Sequence, residues 1–490
     1  MNILILTGSP KGEKSVTLQY ANWLKARFPG HEWTTVHVAS RIKGIEASPE
    51  RFNELMDQVR RADVILWTFP LYVLLVPAGL KRFIELVSER GAEDTFAGKY
   101  AASLSTSIHF HDNIAHDYLQ GVSEDLGMRF VAAHSPAMRD LTKDKGRKQL
   151  ESFGRLFLDT AKSGQVLSRR FPPLAHQGWT YTPSPATHLV DLGSKRVVIV
   201  HDALEQDANL RAMVQRLRCS FAGEVAVHNL HDVDMRANCL GCLRCAMHNS
   251  CVQEERDGFV PFYRKELISA DIIILAGTMR DRHFSSRWRR FWERGFFQTH
   301  QPTLKGKQIA FLVAGPLGQA ASLQEWMSGW TQWQEAHLAG MLSDEAGESA
   351  LLDQELTGLA QRLAQCAEEE FVRPKDFQGV GGLKIFRDDI YGPLRFVFQA
   401  DHKYYKRNKY YDFPTWDWSM RMLNTLLTPL FRIPRLRRVF ERRMKDKMIE
   451  PLQKWVDKAK IDQGSDQPVY PALDNPAPNT LAPRGTTHAF

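Results

Sequence analysis

Residues 2–17 read NILILTGSPKGEKSVT. A short apolar run, Ile3–Leu6, ends in the polar turn Thr7-Gly8-Ser9-Pro10-Lys11, and helical periodicity follows from about Ser15 to Phe28. Strand, glycine-containing turn and helix in this order offer backbone N–H groups and a helix N-terminus to a phosphate. Lys11 adds a positive charge, and Ser9, Ser15 and Thr17 add hydroxyl donors. An ordinary βα turn capped by serines is the alternative for the same residues.

The same order continues downstream. Strands are expected at Thr34–Val38, Val64–Thr68, Tyr100–Ser105 and Phe130–Ala133, with helices over Glu50–Arg61, Pro77–Arg90, from about Asn113 to Leu126, and Lys145–Ala161. Alternation of this kind predicts a doubly wound α/β fold: a parallel sheet with helices on both faces. Ligands then sit beyond the carboxyl ends of the strands, where strand order reverses. The loops after the first, third and fourth strands are expected to converge there. Val64–Leu80 is free of charge for 17 residues, but it is short for a bilayer and broken by Pro70 and Pro77. It reads as strand, loop and helix start.

After a proline-bearing linker at about 166–194 the pattern restarts. Arg196–Val200 repeats Asn2–Leu6 at an offset of 194. Ala62-Asp63 matches Ala270-Asp271, Arg82, Phe83 and Glu85 match Arg290, Phe291 and Glu293, and Gly98-Lys99 matches Gly306-Lys307, all at an offset of 208 without a gap. A constant offset indicates a duplicated β/α domain. The second copy of the first loop, HDALEQD at 201–207, places Glu205 where the first has Lys11. A phosphate dianion would be repelled there, by a few kcal/mol at contact distance near a surface.

Between the first and third strands of the second copy lies CLGCLRCAMHNSC, residues 239–251. Four of the six cysteines, Cys239, Cys242, Cys245 and Cys251, stand two, two and five residues apart. A short loop can wrap such thiolates around a [4Fe–4S] core. Zinc, which prefers two separated cysteine pairs, and a metal-free loop are the other readings. Cys219 and Cys366 read as packing residues. Six cysteines in 490 residues form no disulfide framework, and Met1 leads straight into a strand, so a reducing cytoplasm is expected.

TGSPKGEKSVT, FPLYVLLVPAGLKRFI, STSIHFHDN and the cysteine segment together resemble the iron–sulfur flavoproteins and related NAD(P)H-dependent FMN reductases, which are flavodoxin-like. The resemblance spans about residues 1–345 in two copies. It implies that Ser9, Lys11, Ser15, Val16 and Thr17 hold the FMN phosphate. It implies that Pro70, Leu71, Tyr72 and Val73, with Ser105, Thr106, Ser107 and His109, meet the flavin ring, and that the four spaced cysteines bind a [4Fe–4S] cluster. It also implies NAD(P)H as donor and a small-molecule or protein electron acceptor. Flavin loop and cysteines fall in different copies here, so the tandem is expected to imitate a dimer. That requires the cysteine loop within about 20 Å of the Tyr72 loop. A redox-sensing, electron-transfer or scaffold protein without turnover is the alternative.

The charge of +8 is uneven: residues 381–460 hold 19 Lys+Arg against 9 Asp+Glu, leaving the rest of the chain slightly acidic. That basic, aromatic segment reads as a helical cap, or as a peripheral contact with the anionic inner face of a membrane. No nucleic-acid fold signature accompanies it, and no nucleic-acid partner is expected. The expected organisation is a flavodoxin-like FMN-binding domain at 1–165, a linker at 166–194, a second such domain with the cysteine insertion at 195–372, a mainly helical extension at 373–460 and a disordered tail at 461–490.

Overall fold

The computed structural model describes residues 1–412 except 177, and 418–430, 432–436 and 438–439 of the C-terminal segment. The tail expected at 461–490 lies outside the described residues. Chain packing separates two units, Met1–Tyr411 and Asp412–Phe490.

In the first unit the chain begins β1 (Asn2–Thr7), α1 (Val16–Arg27), β2 (Glu32–His37), α2 (Val38–Ala47), α3 (Pro49–Arg61), β3 (Val64–Pro70) and α4 (Ala78–Glu89). It continues β4 (Tyr100–Thr106), α5 (Asp112–Asp125), β5 (Arg129–His134) and α6 (Asp144–Lys162). The five strands form one parallel sheet in the order β2-β1-β3-β4-β5, the flavodoxin-like order. β1, β3 and β4 are buried on both faces because helices cover both sides, β4 carrying Ser103 and Ser105 on one of them. Local signals set the helix starts: the Ser15 hydroxyl accepts from Leu18 N–H, and Ser48 caps α3 ahead of Pro49.

The second half follows: β6 (Val190–Asp191), β7 (Val197–His201), α7 (Ala208–Arg218), β8 (Phe221–Ala222), β9 (Val225–Asn229), α8 (Arg244–His248) and α9 (Phe259–Phe262). Then come β10 (Ile272–Thr278), α10 (Ser286–Gly295), β11 (Gln308–Ala314), α11 (Ala321–Trp333), β12 (His337–Ser343) and α12 (Ser349–Glu368). Its sheet order, β9-β7-β10-β11-β12, repeats that of the first. The fold is therefore two tandem flavodoxin-like sheets. The cysteine segment occupies the connection from β9 to β10, where the first half has α2 and α3. Two further helices, α13 (Phe377–Tyr391) and α14 (Gln399–Arg407), pack on α11 and α8.

The halves meet through α4 and α10, and the contact is reciprocal. Glu293 accepts from the Ala78 N–H at 2.7 Å, and Glu85 accepts from the Ser286 N–H at 2.6 Å. Residues 78 and 286, like 85 and 293, are 208 apart. At the same offset, Lys81 donates to Asp281 at 2.9 Å while Arg289 donates to the Val73 carbonyl at 2.9 Å. Each helix N-terminus thus receives a carboxylate from the other half, which its dipole favours. Lys81 and Arg289 are fully buried. Burial works against the Lys81 charge, but Asp281 and Glu85 outweigh it and raise its pKa. Burial lowers Arg289 to about 10, partly offset by Glu293.

In the separate C-terminal unit, α15 (Trp418–Leu430) exposes Trp418, Met422, Leu423 and Leu426. Among the described residues no helix is long and apolar enough to cross a membrane.

Candidate functional site

The loops after β1, β3 and β4 converge on one cleft of about 270 Å³ at the carboxyl edge of the first sheet. Ser9, Lys11, Ser15 and Val16 line it beside the N-terminus of α1. Pro70, Leu71, Tyr72 and Val73 line it after β3, and Thr106 and Ser107 after β4. Three residues expected at the site stand elsewhere. Thr17 lies behind the wall, its hydroxyl 2.7 Å from that of Thr106. Ser105 is fully buried and bonded to His116 and Ser135. His109 is turned toward Asp112, 3.1 Å from its carboxylate. His116, between Ser103 and Ser105, is lowered to about 4 by burial and is a neutral structural histidine.

Sequence reasoning misses the opposite wall. Phe110, Phe296, His300, Trp333 and Phe386 complete the cleft. Three come from the second half and one from α13, so no local motif announces them. Only the packing of the halves brings them within reach.

The Tyr72 loop is a tight turn: Tyr72 N–H donates to the Leu75 carbonyl at 3.1 Å and Leu75 N–H donates back at 3.2 Å. Its central residues, Val73 and Leu74, have φ of 41° and 65°. A β-branched residue in the left-handed region is strained and persists where its surroundings over-determine it. Here the second half does so. Arg289 donates to the carbonyls of Val73 and Val76, and the Trp326 indole donates to Val73 at 3.3 Å.

Behind this turn, Cys239, Cys242, Cys245 and Cys251 line a second, mostly apolar cavity of about 170 Å³ that also includes Lys11, Leu71 and Tyr72. Gly241, at φ 61°, presses on Tyr72 so closely that a Cβ there would fall 2.1 Å from the phenol oxygen. The cysteine and Tyr72 loops are therefore in contact, far inside the separation the tandem reading requires. Burial pushes Cys239 and Cys245 up to about 12, with Glu293 adding to the first and Cys242 and Cys251 to the second. Burial, followed by Cys239, raises the Tyr72 phenol. Gly241 N–H donates to the Cys239 sulfur at 3.4 Å and Gln253 N–H to the Cys251 sulfur at 3.5 Å. The four cysteines thus border one cavity. Among the described residues, however, no group of three or more His, Cys, Asp or Glu side chains is arranged to hold a metal ion.

The equivalent crevice of the second sheet, about 330 Å³, is acidic. Asp207, Asp344 and Glu345 line it with Trp179 of the linker. The Trp179 indole donates to the Asp344 carbonyl at 2.8 Å, and Arg280 pairs with Asp207 at 2.6 Å. Burial raises the nearby Asp202 to about 6.

Residues 1–140 match the family described as NADPH-dependent FMN reductase. A curated relative, the FMN-dependent NADH:quinone oxidoreductase 2 of Pseudomonas syringae pv. tomato, is 31% identical over 117 residues. The match covers 19% of this chain and 56% of the relative, so the chain spans about half the length of that relative. Among solved structures, an NADH:FMN oxidoreductase in its apo form is 22% identical, covering 34% of this chain and 90% of that one at a TM-score of 0.29. The flavoenzyme NAD(P)H:(acceptor) oxidoreductase of Paracoccus denitrificans is 19% identical, covering 34% and 99% at a TM-score of 0.28.

Proposed function

We propose that this chain is an FMN-dependent NAD(P)H oxidoreductase that passes electrons to a quinone- or flavin-type acceptor. One observation carries the reading: the β1, β3 and β4 loops of the first half form a single cleft beside the α1 N-terminus, lined by Lys11 and serine hydroxyls together with the apolar Tyr72 turn. Cation and hydroxyls suit a phosphate, and the apolar turn suits a flat ring. Ser9, Lys11, Ser15 and Val16 would hold the phosphate, with Thr17 supporting Thr106. Pro70, Leu71, Tyr72, Val73, Thr106 and Ser107 would border the ring, with Ser105 and His109 bracing the loop after β4. FMN supplies hydride chemistry when bound. The residues bind and orient it, and the apolar turn and far aromatic wall exclude water.

The four spaced cysteines are the residues that would hold a [4Fe–4S] cluster, and their contact with the Tyr72 turn supports a role as electron partner to the flavin. The reciprocal α4–α10 contacts support reading the tandem as a duplicated domain that imitates a dimer. The exposed apolar residues of α15, together with Arg421, Arg432, Arg435 and Arg438 of its unit, support a peripheral contact with an anionic membrane surface. A liposome pull-down with and without residues 412–490 tests that contact.

A visible spectrum of anaerobically purified protein tests the main reading. The two-banded absorption of bound flavin, bleached by NADPH or NADH, is the expected result. Absence of flavin together with failure to take up added FMN would leave the scaffold alternative. Iron and sulfide analysis of the quadruple Cys→Ser variant tests the cluster, which predicts loss of both.

A further inference from the structure

The aromatic part of the cleft lining is unusual in composition and in origin. Phe296 and Trp333 come from the second half, Phe386 from α13, and between them stands His300. The imidazole is held on every side but one. Its ring packs 4.2 Å from Phe386 and 4.7 Å from Phe398, centroid to centroid. Its Nδ1 lies 2.8 Å from the Asp401 carboxylate. Its carbonyl accepts from the Tyr405 hydroxyl at 3.2 Å. Nε2 has no hydrogen-bond partner among the described residues.

Asp401 belongs to α14 and is fully buried. It also accepts from the Thr299 hydroxyl and from Gln301. Thr299 sits at φ 54°, a strained position for a β-branched residue, and this strain adjoins the histidine. A carboxylate accepts only, so Nδ1 carries its proton and Nε2 is the nitrogen left for a ligand. Asp389 of α13 also acts electrostatically on His300, and His111 lines the adjoining cavity.

We propose that this wall is the acceptor site for a planar quinone ring and that His300, positioned by Asp401, is its proton donor. The proposal rests on the FMN reading above. Reduction of a quinone to a hydroquinone takes two electrons and two protons. A hydride from the reduced flavin brings both electrons and one proton. The second comes from His300: its Nε2–H bond breaks, an O–H bond forms on the quinone carbonyl oxygen, and the ring is left neutral with Nδ1–H on Asp401. Solvent then returns the proton. The aromatic side chains suit a flat ring by stacking. The C-terminal helices thereby take part in the chemistry, because α14 supplies the carboxylate that fixes the donor.

The test compares two acceptors on the FMN-loaded full chain. A quinone such as menadione needs the proton; ferricyanide, a one-electron acceptor, does not. His300→Gln is expected to lower kcat with menadione by about 10²-fold or more, the usual scale of a lost general acid, and to lower ferricyanide turnover by a smaller factor, so that the ratio of the two falls. Asp401→Asn is expected to give a smaller loss of the same selectivity, with a larger solvent isotope effect on menadione reduction. Calorimetric titration of menadione into the oxidised, FMN-loaded protein without nicotinamide gives a readout apart from turnover. Phe386→Ala is expected to weaken binding about tenfold, and His300→Gln by less. Equal loss with both acceptors, or unchanged menadione turnover in His300→Gln, would overturn the proton-donor assignment and leave the FMN reading intact. A wild-type chain that takes up no FMN and reduces neither acceptor would overturn both.

Discussion

The first and second halves present the same topological position in two opposite states. At the carboxyl edge of the first sheet, Lys11 and a strained apolar turn border a cleft shared with the second half. At the same edge of the second sheet, Asp207, Asp344 and Glu345 stand around a crevice lined by Trp179 of the linker, and Arg280 is bound to Asp207. The loops after the third strands differ likewise. The first, at Val73, is braced by Arg289 and Trp326. The second is fastened into the first half, with Asp281 on Lys81 and Arg282 on Asp125. Both copies keep a crevice, but the first borders it with Lys11 and an apolar turn, while the second borders it with carboxylates and uses the loop after its third strand to hold the halves together. Symmetry of the framework therefore need not mean symmetry of function.

The sharpest way to break this comparison is at the reciprocal buried cations. Arg289→Met leaves Glu293 buried without its partner and releases the Val73 turn. Removing one member of a buried pair costs about 3–5 kcal/mol, and FMN binding should be lost with it. Lys81→Met strands Glu85 and Asp281 and should destabilise by a similar amount, yet it frees only the second-half loop. Chemical denaturation should show both losses. Flavin titration of folded protein should separate the two variants, and equal loss of FMN affinity would contradict the division of labour.

Next in size is the charge at the phosphate end. Lys11→Glu gives the first crevice the residue found at 205. A reversed charge near a phosphate is worth a few kcal/mol at partial exposure, so FMN affinity should fall about 10²- to 10³-fold. Riboflavin, which has no phosphate, should lose little. The ratio of the two affinities checks the assignment, and a parallel loss would place the phosphate elsewhere.

Third is an acid sensitivity to which His116 of the first half contributes. His116 is lowered to about 4 by burial, against about 6.5 unfolded. Between these values the unfolded chain binds the proton and the folded chain does not. Stability is thus full above pH about 6.5 and falls as pH drops toward 4, by roughly 3 kcal/mol. At the 208 offset the second half has Gln324, with Phe311 and Val313 in place of Ser103 and Ser105. Burial also lowers His283 of the second half, so the whole chain should lose more. His116→Gln should flatten the slope of unfolding free energy between pH 6.5 and 4 by close to one proton.

Much of this is legible in the sequence, and the unread parts share a cause. Val64–Thr68 reads as a strand because it is a short apolar run, Tyr100–Ser105 follows in the same β/α alternation, and the 208-residue offset reveals the second half. Helix α2 goes unread, although Val38, Ala39, Ile42 and Ile45 carry its helical spacing. The part of the cleft that the first loop supplies is readable because Ser9, Lys11 and Ser15 share one short turn. Ser105 and His109 read as flavin contacts because of their loop. The structure buries one against His116 and turns the other to Asp112, and side-chain direction within a loop has no period to read. His300, Trp333 and Phe386 are beyond reach because their only link to Tyr72 is through the packing of two sheets and an added helix.

The smallest effect bears on whether the Trp179 side chain or the acidic lining keeps FMN out of the second crevice. Trp179→Ala removes the indole bond to the Asp344 carbonyl and the edge contact with Tyr181. A single partly exposed hydrogen bond is worth about 1 kcal/mol, so thermal stability should fall only slightly. Without the indole the crevice still presents Asp207, Asp344 and Glu345. If their charge keeps the phosphate out, the variant binds one FMN per chain, as the wild type should, and Glu205→Lys added to it still binds one. A second FMN in the single variant would make Trp179 the sole barrier and the acidic loop irrelevant. A second FMN only in the double variant would show that position 205 alone separates the two crevices.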